Sequence, residues 1–169
     1  RPFMFASEAF LGVRPANEYK FMVIASPVGA YFSGGVKPVK IWLSSNYARA
    51  AFGGTGAAKC GGNYAAGLLA QMEASERGCE QVCFVDATEH KWIEELGGMN
   101  LYFVFKDGTL VTPPTKGTIL EGITRGSLLA LAGEQGLKPV ERAISVDEWR
   151  SGVSSGAITE VFACGTAAV

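Results

Sequence analysis

Two runs of alternating residues on either side of Asp107-Gly108 restrict the fold more than any other feature of the sequence. Residues 100–114 read NLYFVFKDGTLVTPP, with aromatic and β-branched side chains before and after the Asp-Gly pair. Glycine readily adopts the positive φ that a tight hairpin turn needs, so this pattern is a strong signal for two antiparallel strands. The chain is therefore predicted to contain an antiparallel hairpin.

Other segments alternate between strand and helix signals. Short apolar or alternating runs predict five further strands, and helical spacing predicts three helices, the last capped by Ser145 or Asp147. A helical turn is expected over 48–52, and residues 28–38 are expected to form turn and loop. The strands are 21–26 (expected to be buried), 39–44, 81–86, 139–144 and 160–164; the helices are 64–77, 123–135 and 146–154. An α/β or α+β domain with a mixed sheet follows.

Composition excludes several classes of protein. The 169 residues are 48% hydrophobic and 18% charged, which is typical of one globular domain with a sizeable core. Lys+Arg 15 against Asp+Glu 16 gives a net charge of −1, so nothing favours a nucleic acid or an anionic membrane surface as partner. No apolar run is long enough to span a membrane.

The cysteines and the chain ends lead to two further expectations. The four cysteines form no CxxC motif, and Cys79 and Cys83 with the lone His90 make a poor metal site, so reduced thiols in a cytoplasmic protein and no metal are expected. The chain opens without an initiator Met and stops within an apolar run. These ends are expected for an internal piece of a longer protein.

Lys59 lies in the glycine-rich stretch GGTGAAKCGGNYAAG, residues 53–67, which holds no other charge. Such a lysine is either a solvated loop residue or a side chain aimed at a bound group. A lysine that attacks carbonyl groups must be deprotonated part of the time, and burial away from carboxylates favours that state by lowering its pKa. The stretch alone leaves both interpretations open.

Three more segments each carry a weak signal. The paired acids of EELGGMN, residues 94–100, are either surface charges at a turn or part of a site. Backbone N–H groups near Ile123 and Thr124 begin a predicted helix and could hold a phosphate there. Gly165-Thr166 follows a predicted strand, where a hydroxyl and amides could bind an anion. For each one, an ordinary structural role stays open.

Taken together and in order, these segments resemble the large domain of branched-chain amino acid aminotransferases, which are pyridoxal-phosphate (PLP) enzymes of fold type IV. The resemblance covers essentially the whole chain, and the residues of its motifs are similar to those of the actinobacterial branch. The matching motifs are RPFMFASEAFLGV, SPVGAYFSGG, GGTGAAKCGGNYA, GCEQV, EELGGMNLYFVF, LVTPP, ILEGITR and CGTAA.

The resemblance implies a pseudo-barrel of mixed strands with surrounding helices, and a homodimer. Residues 1–18 would be an interdomain linker region, and residues 19–169 the large PLP-binding domain. The small N-terminal domain and the C-terminal end of the large domain would be absent.

The resemblance also implies the roles of individual residues at the cofactor. Lys59 would form the Schiff base with PLP and move the proton between the substrate Cα and the cofactor. Glu95 would pair with the pyridine nitrogen, Tyr64 would hydrogen-bond the ring 3-hydroxyl, and Gln81 would support them. The cofactor phosphate would be held by three further residues: Ile123 and Thr124 through backbone N–H groups, and Thr166.

For the substrate, the resemblance implies Arg1 and Tyr31 as pocket residues, with the backbone of Thr166-Ala167 holding the carboxylate. Leu11 and Val13 match an interdomain loop that reaches the neighbouring subunit's pocket. The sequence departs from some relatives at Gly97-Gly98, where they have Gly-Thr, and it lacks the Cys-x-x-Cys pair of mammalian relatives.

The implied activity is transamination of L-branched-chain amino acids (Leu, Ile, Val) with 2-oxoglutarate by ping-pong kinetics. The sequence leaves other functions open. A D-amino-acid aminotransferase and an aminodeoxychorismate lyase share the fold. A catalytically inert fragment, and a lysine-based lyase without PLP, belong to other classes.

Overall fold

The computed structural model describes residues 1–27, 29 and 37–166. The chain divides into two compact units, Arg1–Ser33 and Gly34–Val169. Most of the turn and loop predicted over 28–38 lies outside the described residues. The elements are, in chain order, β1 (Pro2–Ala6), β2 (Tyr19–Val23), β3 (Ile41–Leu43), α1 (Gly61–Ala66), α2 (Leu68–Glu76), β4 (Gln81–Val85), β5 (Ile93–Leu96), β6 (Asn100–Phe105), β7 (Thr109–Thr112), α3 (Ile123–Glu134), β8 (Lys138–Glu141), α4 (Val146–Ser155) and β9 (Ile158–Cys164).

The first unit contains an antiparallel ribbon of β1 and β2, in which Pro2 pairs with Val23 and Ala6 with Tyr19. Strand β1 was not predicted from the sequence. A strand was predicted near β2, but the expectation that this strand is buried is wrong, because every residue of β2 is exposed. A two-stranded ribbon has two faces and no further layer among the described residues of its unit to cover either one. The domain division at residues 18 and 19 stays a prediction.

The second unit confirms the predicted hairpin. Strands β6 and β7 are antiparallel, with Phe103 opposite Val111, and Gly108 at the turn has φ +83°. The four-stranded sheet has the order β8-β7-β6-β9, in which β7 and β8 are parallel and β6 and β9 antiparallel. This mixture of parallel and antiparallel neighbours confirms the mixed sheet.

A three-stranded sheet, β3-β4-β5, completes the strands of this unit that the structure describes. Strands β3 and β4 are parallel, whereas β4 and β5 are antiparallel. Strand β5 was not predicted from the sequence. It carries Glu94 and Glu95 and is buried along its whole length. Of the two interpretations of these acids, the surface turn is therefore wrong.

Helices α3 and α4 confirm two predicted helices within a residue of their expected ends. The helix predicted over 64–77 forms as two, α1 and α2, separated at Gly67, whose N–H donates to Tyr64 O (3.1 Å) as in a tighter 3₁₀ turn. The helical turn predicted over 48–52 is wrong. The chain there makes bends and a turn closed by the hydrogen bond from Gly54 N–H to Ala51 O (3.0 Å).

One hydrophobic core joins the two sheets of the second unit. Its members from the three-stranded sheet are Cys83, Val85, Ile93 and Leu96, and those from β6 and β7 are Leu101, Phe103 and Val111. Met99, in the short turn between β5 and β6, is buried in the same cluster. The core therefore fixes the end of β5, where Glu95 lies, against the start of β6. Within the described ranges, no helix is both long and apolar enough to cross a bilayer.

The cap of α4 gives a stability prediction. Ser145 Oγ accepts the Glu148 N–H at 3.0 Å, as an N-cap does. Replacing Ser145 with Ala should lower the free energy of unfolding by about 1 kcal/mol, because that N–H loses its acceptor. Denaturant unfolding measures the change. The matched control is Ser151→Ala in the same helix, where Oγ is exposed and donates only to Glu148 O. Equal losses in the two variants would contradict the capping role.

Candidate active site

Glu95 is the buried centre of the candidate site. Its side chain is 3% exposed, and Oε1 lies 2.8 Å from Nη1 of Arg49, itself 4% exposed. The backbone N–H of Leu120 donates to the same oxygen at 3.2 Å. One oxygen of the carboxyl group is thus held by two protein groups, while no hydrogen bond of the described residues reaches Oε2.

Burial raises the pKa of Glu95 to about 7, although Arg49 and the Leu120 N–H act in the opposite direction. The neighbouring Glu94 raises the pKa further, and Lys59 lowers it by a smaller amount. Near neutral pH the carboxyl group is therefore close to half-protonated. A cationic group brought to it would favour the carboxylate and gain an ion pair.

Lys59 lies in the loop that leads into α1, and its side chain is exposed. Its Nζ is 6.0 Å from the centre of the Tyr64 ring on α1, and it has no ion-pair partner among the described residues. A close backbone approach holds the loop in place: a Cβ on Gly56 would overlap the Thr118 carbonyl, and Ala57 N–H donates to Gly117 O at 3.1 Å. The lysine loop is thereby attached to the segment that also holds Glu95.

Helix α3 begins with free backbone donors. Gly122 precedes it with φ +67°, and no side chain caps it. Among the described groups, none accepts the N–H of Ile123 or Thr124, and Ile123 is exposed. A twelve-residue helix with an uncapped, open N-terminus is suited to binding an anion.

Asn100 connects these two parts of the site. Its Nδ2 donates to Leu120 O at 3.0 Å, and its Oδ1 occupies the space that a Cβ on Gly122 would need. Asn100 also pairs with Cys164 across β6 and β9, so the exposed Thr166 lies two residues beyond that pairing. The start of α3 and the C-terminal end of β9 therefore both lie next to Asn100.

The remaining predicted residues are placed as follows. Gln81 begins β4 opposite Ile41, is half-buried and makes no side-chain hydrogen bond to the other candidates within the described chain. Arg1 lies in the first unit, where its terminal ammonium donates to Ile24 O at 2.6 Å. Leu11 and Val13, between β1 and β2, are fully exposed. Tyr31 and Ala167 lie outside the described residues.

Three side chains that shape the site were not predicted as site residues: Arg49, Asn63 and Asn100. All three are buried polar groups. The partners of Arg49 and Asn100 lie in distant parts of the chain, whereas those of Asn63 lie in the loop just before α1. Asn63 and Asn100 fall within the quoted motifs, but no periodicity or spacing marks them. The sequence offers only one sign, that each is polar within a largely apolar or glycine-rich stretch.

The donor set fits pyridoxal phosphate. The open side of Glu95 suits the ring nitrogen, because a protonated pyridine would give the buried carboxyl group a cationic partner. The N–H groups of Ile123 and Thr124, which donate to no described acceptor, suit the phosphate. Lys59, with its unpaired amine beside the half-exposed Tyr64, suits a covalent attachment. Within the described residues no group of His, Cys, Asp or Glu side chains could hold a metal ion.

The structure thus offers a lysine on a glycine-rich loop, a buried carboxyl group and an uncapped helix N-terminus, a set of groups compatible with PLP. The chain belongs to the class IV aminotransferases, whose family model, described as Amino-transferase class IV, matches residues 1–169. Enzymes of this class depend on PLP.

Known relatives agree with this assignment. The chain is 63% identical, over its full length and 46% of the relative's, to a probable branched-chain-amino-acid aminotransferase of Streptomyces coelicolor. It is similar to the crystal structure of the Escherichia coli branched-chain amino acid aminotransferase, with TM-score 0.82 and 35% identity over 99% of this chain and 53% of that one. It is also similar to the PLP form of the Thermobaculum terrenum branched-chain amino acid aminotransferase, with TM-score 0.77 and 26% identity over 99% of this chain and 51% of that one. The chain spans about half the length of the curated relatives it matches.

The pKa of Glu95 predicts a pH-dependent stability. Because the folded-state pKa is raised from 4.5 to about 7, the folded protein binds more protons than the unfolded one between these values. The free energy of unfolding should therefore fall as pH rises from 4.5 to 7, and Glu95→Gln should remove this part of the slope. Denaturant unfolding of the cofactor-free protein across that range measures it. Identical slopes in the two proteins would show that Glu95 titrates normally.

The start of α3 gives a second prediction. Gly122→Ala should lower the free energy of unfolding by about 1–3 kcal/mol, because alanine is strained at this φ and its Cβ displaces the Asn100 amide. It should also weaken cofactor binding. The matched control is Gly126→Ala within the same helix, where a Cβ meets open space and should stabilise by about 0.5–1 kcal/mol. Denaturant unfolding and cofactor titration distinguish them, and a neutral Gly122→Ala would contradict the strain.

Proposed function

We propose that the protein containing this chain transfers the amino group of L-leucine, L-isoleucine or L-valine to 2-oxoglutarate with the help of PLP. One observation carries the proposal. A buried carboxyl group with a pKa of about 7, a lysine close enough to influence it, and an uncapped helix N-terminus belong to one compact unit. Each of the three is matched to a different part of the cofactor.

The residues that would hold PLP are those indicated by the fit described above and, for Tyr64, Gln81 and Thr166, by the resemblance to the family. Glu95 would contact the ring nitrogen, and Tyr64 the ring hydroxyl, with Gln81 as a neighbour. Three groups would hold the phosphate: the N–H groups of Ile123 and Thr124 and the hydroxyl of Thr166. When bound, PLP supplies an electron-withdrawing ring that stabilises negative charge at the substrate Cα.

The chain's own residues perform the proton chemistry. The Lys59 amine takes the proton from the substrate Cα and later returns one, which requires an uncharged nitrogen for part of the cycle. The Glu95 carboxylate would keep a proton on the ring nitrogen. Its ion pair with Arg49 fixes the orientation of the carboxyl group.

The substrate assignment rests on the names of the relatives. Proteins 48–63% identical to this chain are named as branched-chain-amino-acid aminotransferases or probable ones. These names do not favour a D-amino-acid aminotransferase or an aminodeoxychorismate lyase. Arg1, Tyr31 and the Thr166-Ala167 backbone remain the proposed substrate contacts.

The proposal extends to a homodimer in the cytoplasm. Leu11 and Val13 are apolar side chains that are fully exposed in this chain, which supports their being covered by a neighbouring subunit. All four cysteines are free thiols, which supports a reducing compartment. Residues 1–18 as an interdomain region and 19–169 as the PLP-binding domain remain part of the same proposal.

A cofactor-trapping experiment tests this function. In the full-length protein with PLP, borohydride should fix the cofactor to Lys59, and Lys59→Ala should lose both the visible absorption of the bound cofactor and the turnover of L-leucine. Lys106→Ala, an exposed lysine at the end of the β6–β7 hairpin, serves as the control and should keep both. Faster turnover of D-alanine or of a chorismate-derived amine than of L-leucine would overturn the substrate assignment. Fixation at another lysine would overturn the site.

A further inference from the structure

We propose that Asn63 is the positioning residue for Lys59: its side-chain amide anchors the lysine loop to helix α1 and so sets the place of the lysine relative to Tyr64. This role deepens the proposed function and rests on it. It concerns a buried amide that contacts neither cofactor nor substrate and acts through the loop.

The hydrogen bonds of Asn63 are all directed at one segment. Its Nδ2 donates to the carbonyl oxygens of Thr55 and Ala58, each at 2.7 Å. Its Oδ1 accepts the hydroxyl of Thr55 at 2.6 Å. Both hydrogens of the amide and its oxygen are thus used, and the residue is 4% exposed. A buried amide with every group satisfied holds its partners in one geometry.

The anchored segment is the one that needs an external support. Residues 51–60 form turns and bends, so no helix or strand ladder fixes their course. Within the segment, Ala58 N–H donates to Thr55 O at 2.9 Å, so this carbonyl receives both the loop's own bond and that of Asn63. The Ala58 carbonyl belongs to the peptide unit that precedes Lys59. Holding that carbonyl orients the backbone from which the lysine side chain leaves.

Asn63 also stands at the right place to relate the two reactive side chains. It is the third residue of α1, next to Tyr64, whereas the bonds it makes end one residue before Lys59. The Asn63 amide therefore links the backbone just before Lys59 to the residue just before Tyr64, whose ring centre lies 6.0 Å from Lys59 Nζ. On its other side, Gly56 and Ala57 attach the loop to residues 117 and 118. The Ala58 carbonyl also accepts the Cys60 N–H at 3.1 Å, and the Asn63 amide adds the side-chain bond that ties this carbonyl to α1.

Asparagine is the residue that this geometry requires. Aspartate would offer no donor to the two carbonyl oxygens and would face them with a negative charge. Leucine would leave both carbonyl oxygens and the Thr55 hydroxyl without their buried partner. Truncation to alanine removes the anchor without adding charge near Lys59, which makes it the cleaner test.

The test compares three variants of the full-length protein. Asn63→Ala removes the whole anchor, and Thr55→Val removes only the hydroxyl that Oδ1 accepts. The matched control is Gln71→Ala on α2, which removes another side-chain amide bonded to a backbone carbonyl, that of Glu80 at 3.1 Å, away from the lysine loop. Amide hydrogen exchange of residues 55–60 is measured without cofactor. Borohydride fixation of PLP to Lys59, kcat and KM are measured with it.

We expect Asn63→Ala to exchange faster over residues 55–60 than the unaltered protein, with the rest of the second unit unchanged. Its kcat for L-leucine should fall by about 10- to 100-fold while KM stays nearly constant, because the amine is misplaced and not lost. Thr55→Val should change both readouts in the same direction by a smaller factor, and it keeps the test decisive if Asn63→Ala folds poorly. Gln71→Ala should match the unaltered protein in residues 55–60 and in kcat.

Three results would overturn the inference, and they are distinguishable. Unaltered exchange and kcat in both loop variants, with PLP fixed normally to Lys59, would remove the positioning role and leave the proposed function intact. No fixation of PLP to Lys59 in the unaltered protein would remove the proposed function and the positioning role together. Equal losses in Gln71→Ala would assign the effect to general destabilisation and likewise overturn the role.

Discussion

The burial of the Glu95 carboxyl group is the constraint on which the candidate site depends. A carboxyl group removed from water is costly unless other groups compensate it, and here the compensation comes from Arg49 and from the backbone N–H of Leu120. Each comes from a different irregular segment, so satisfying one side chain on β5 draws both segments to it. The compensation is incomplete, which is why the pKa lies near 7 and why a cationic partner is favoured.

The same constraint sets the place of Glu95 relative to the start of α3. Leu120 donates its N–H to Glu95 and accepts the Asn100 amide through its carbonyl, and three residues later α3 begins with free N–H groups. The position of the Glu95 carboxyl group and that of the open amides of Ile123 and Thr124 are thus fixed by one short stretch of backbone. The hydrophobic core between the two sheets holds the end of β5 and the start of β6 against each other, and Asn100 joins the stretch to that core.

The elements predicted correctly are those specified by nearby residues. The β6–β7 hairpin follows from Asp107-Gly108, and α4 from its Ser145 cap, because a turn or a cap is decided within a few residues. Strands β1 and β5 were missed, and the burial of β2 was wrong, because a strand is stabilised by partners distant in sequence and its burial by the layers that cover it. The prediction of a helical turn over 48–52 was wrong for a related reason, because Arg49 in that segment is held by contacts to Glu95 and Thr118.

The sequence by itself determined the mixed α/β class, the hairpin, three helical regions, the resemblance to the branched-chain aminotransferases and the choice of Lys59, Tyr64 and Glu95 as candidates. Only the tertiary structure decided that Glu95 is buried against Arg49, that Asn100 links Leu120 to the start of α3, and that Asn63 holds the loop before Lys59. Caps, turns and motifs are local and leave a pattern in the chain. Buried polar contacts leave none, whether they join distant segments or cross an irregular loop as those of Asn63 do, because the partner of each group is known only once the chain has folded.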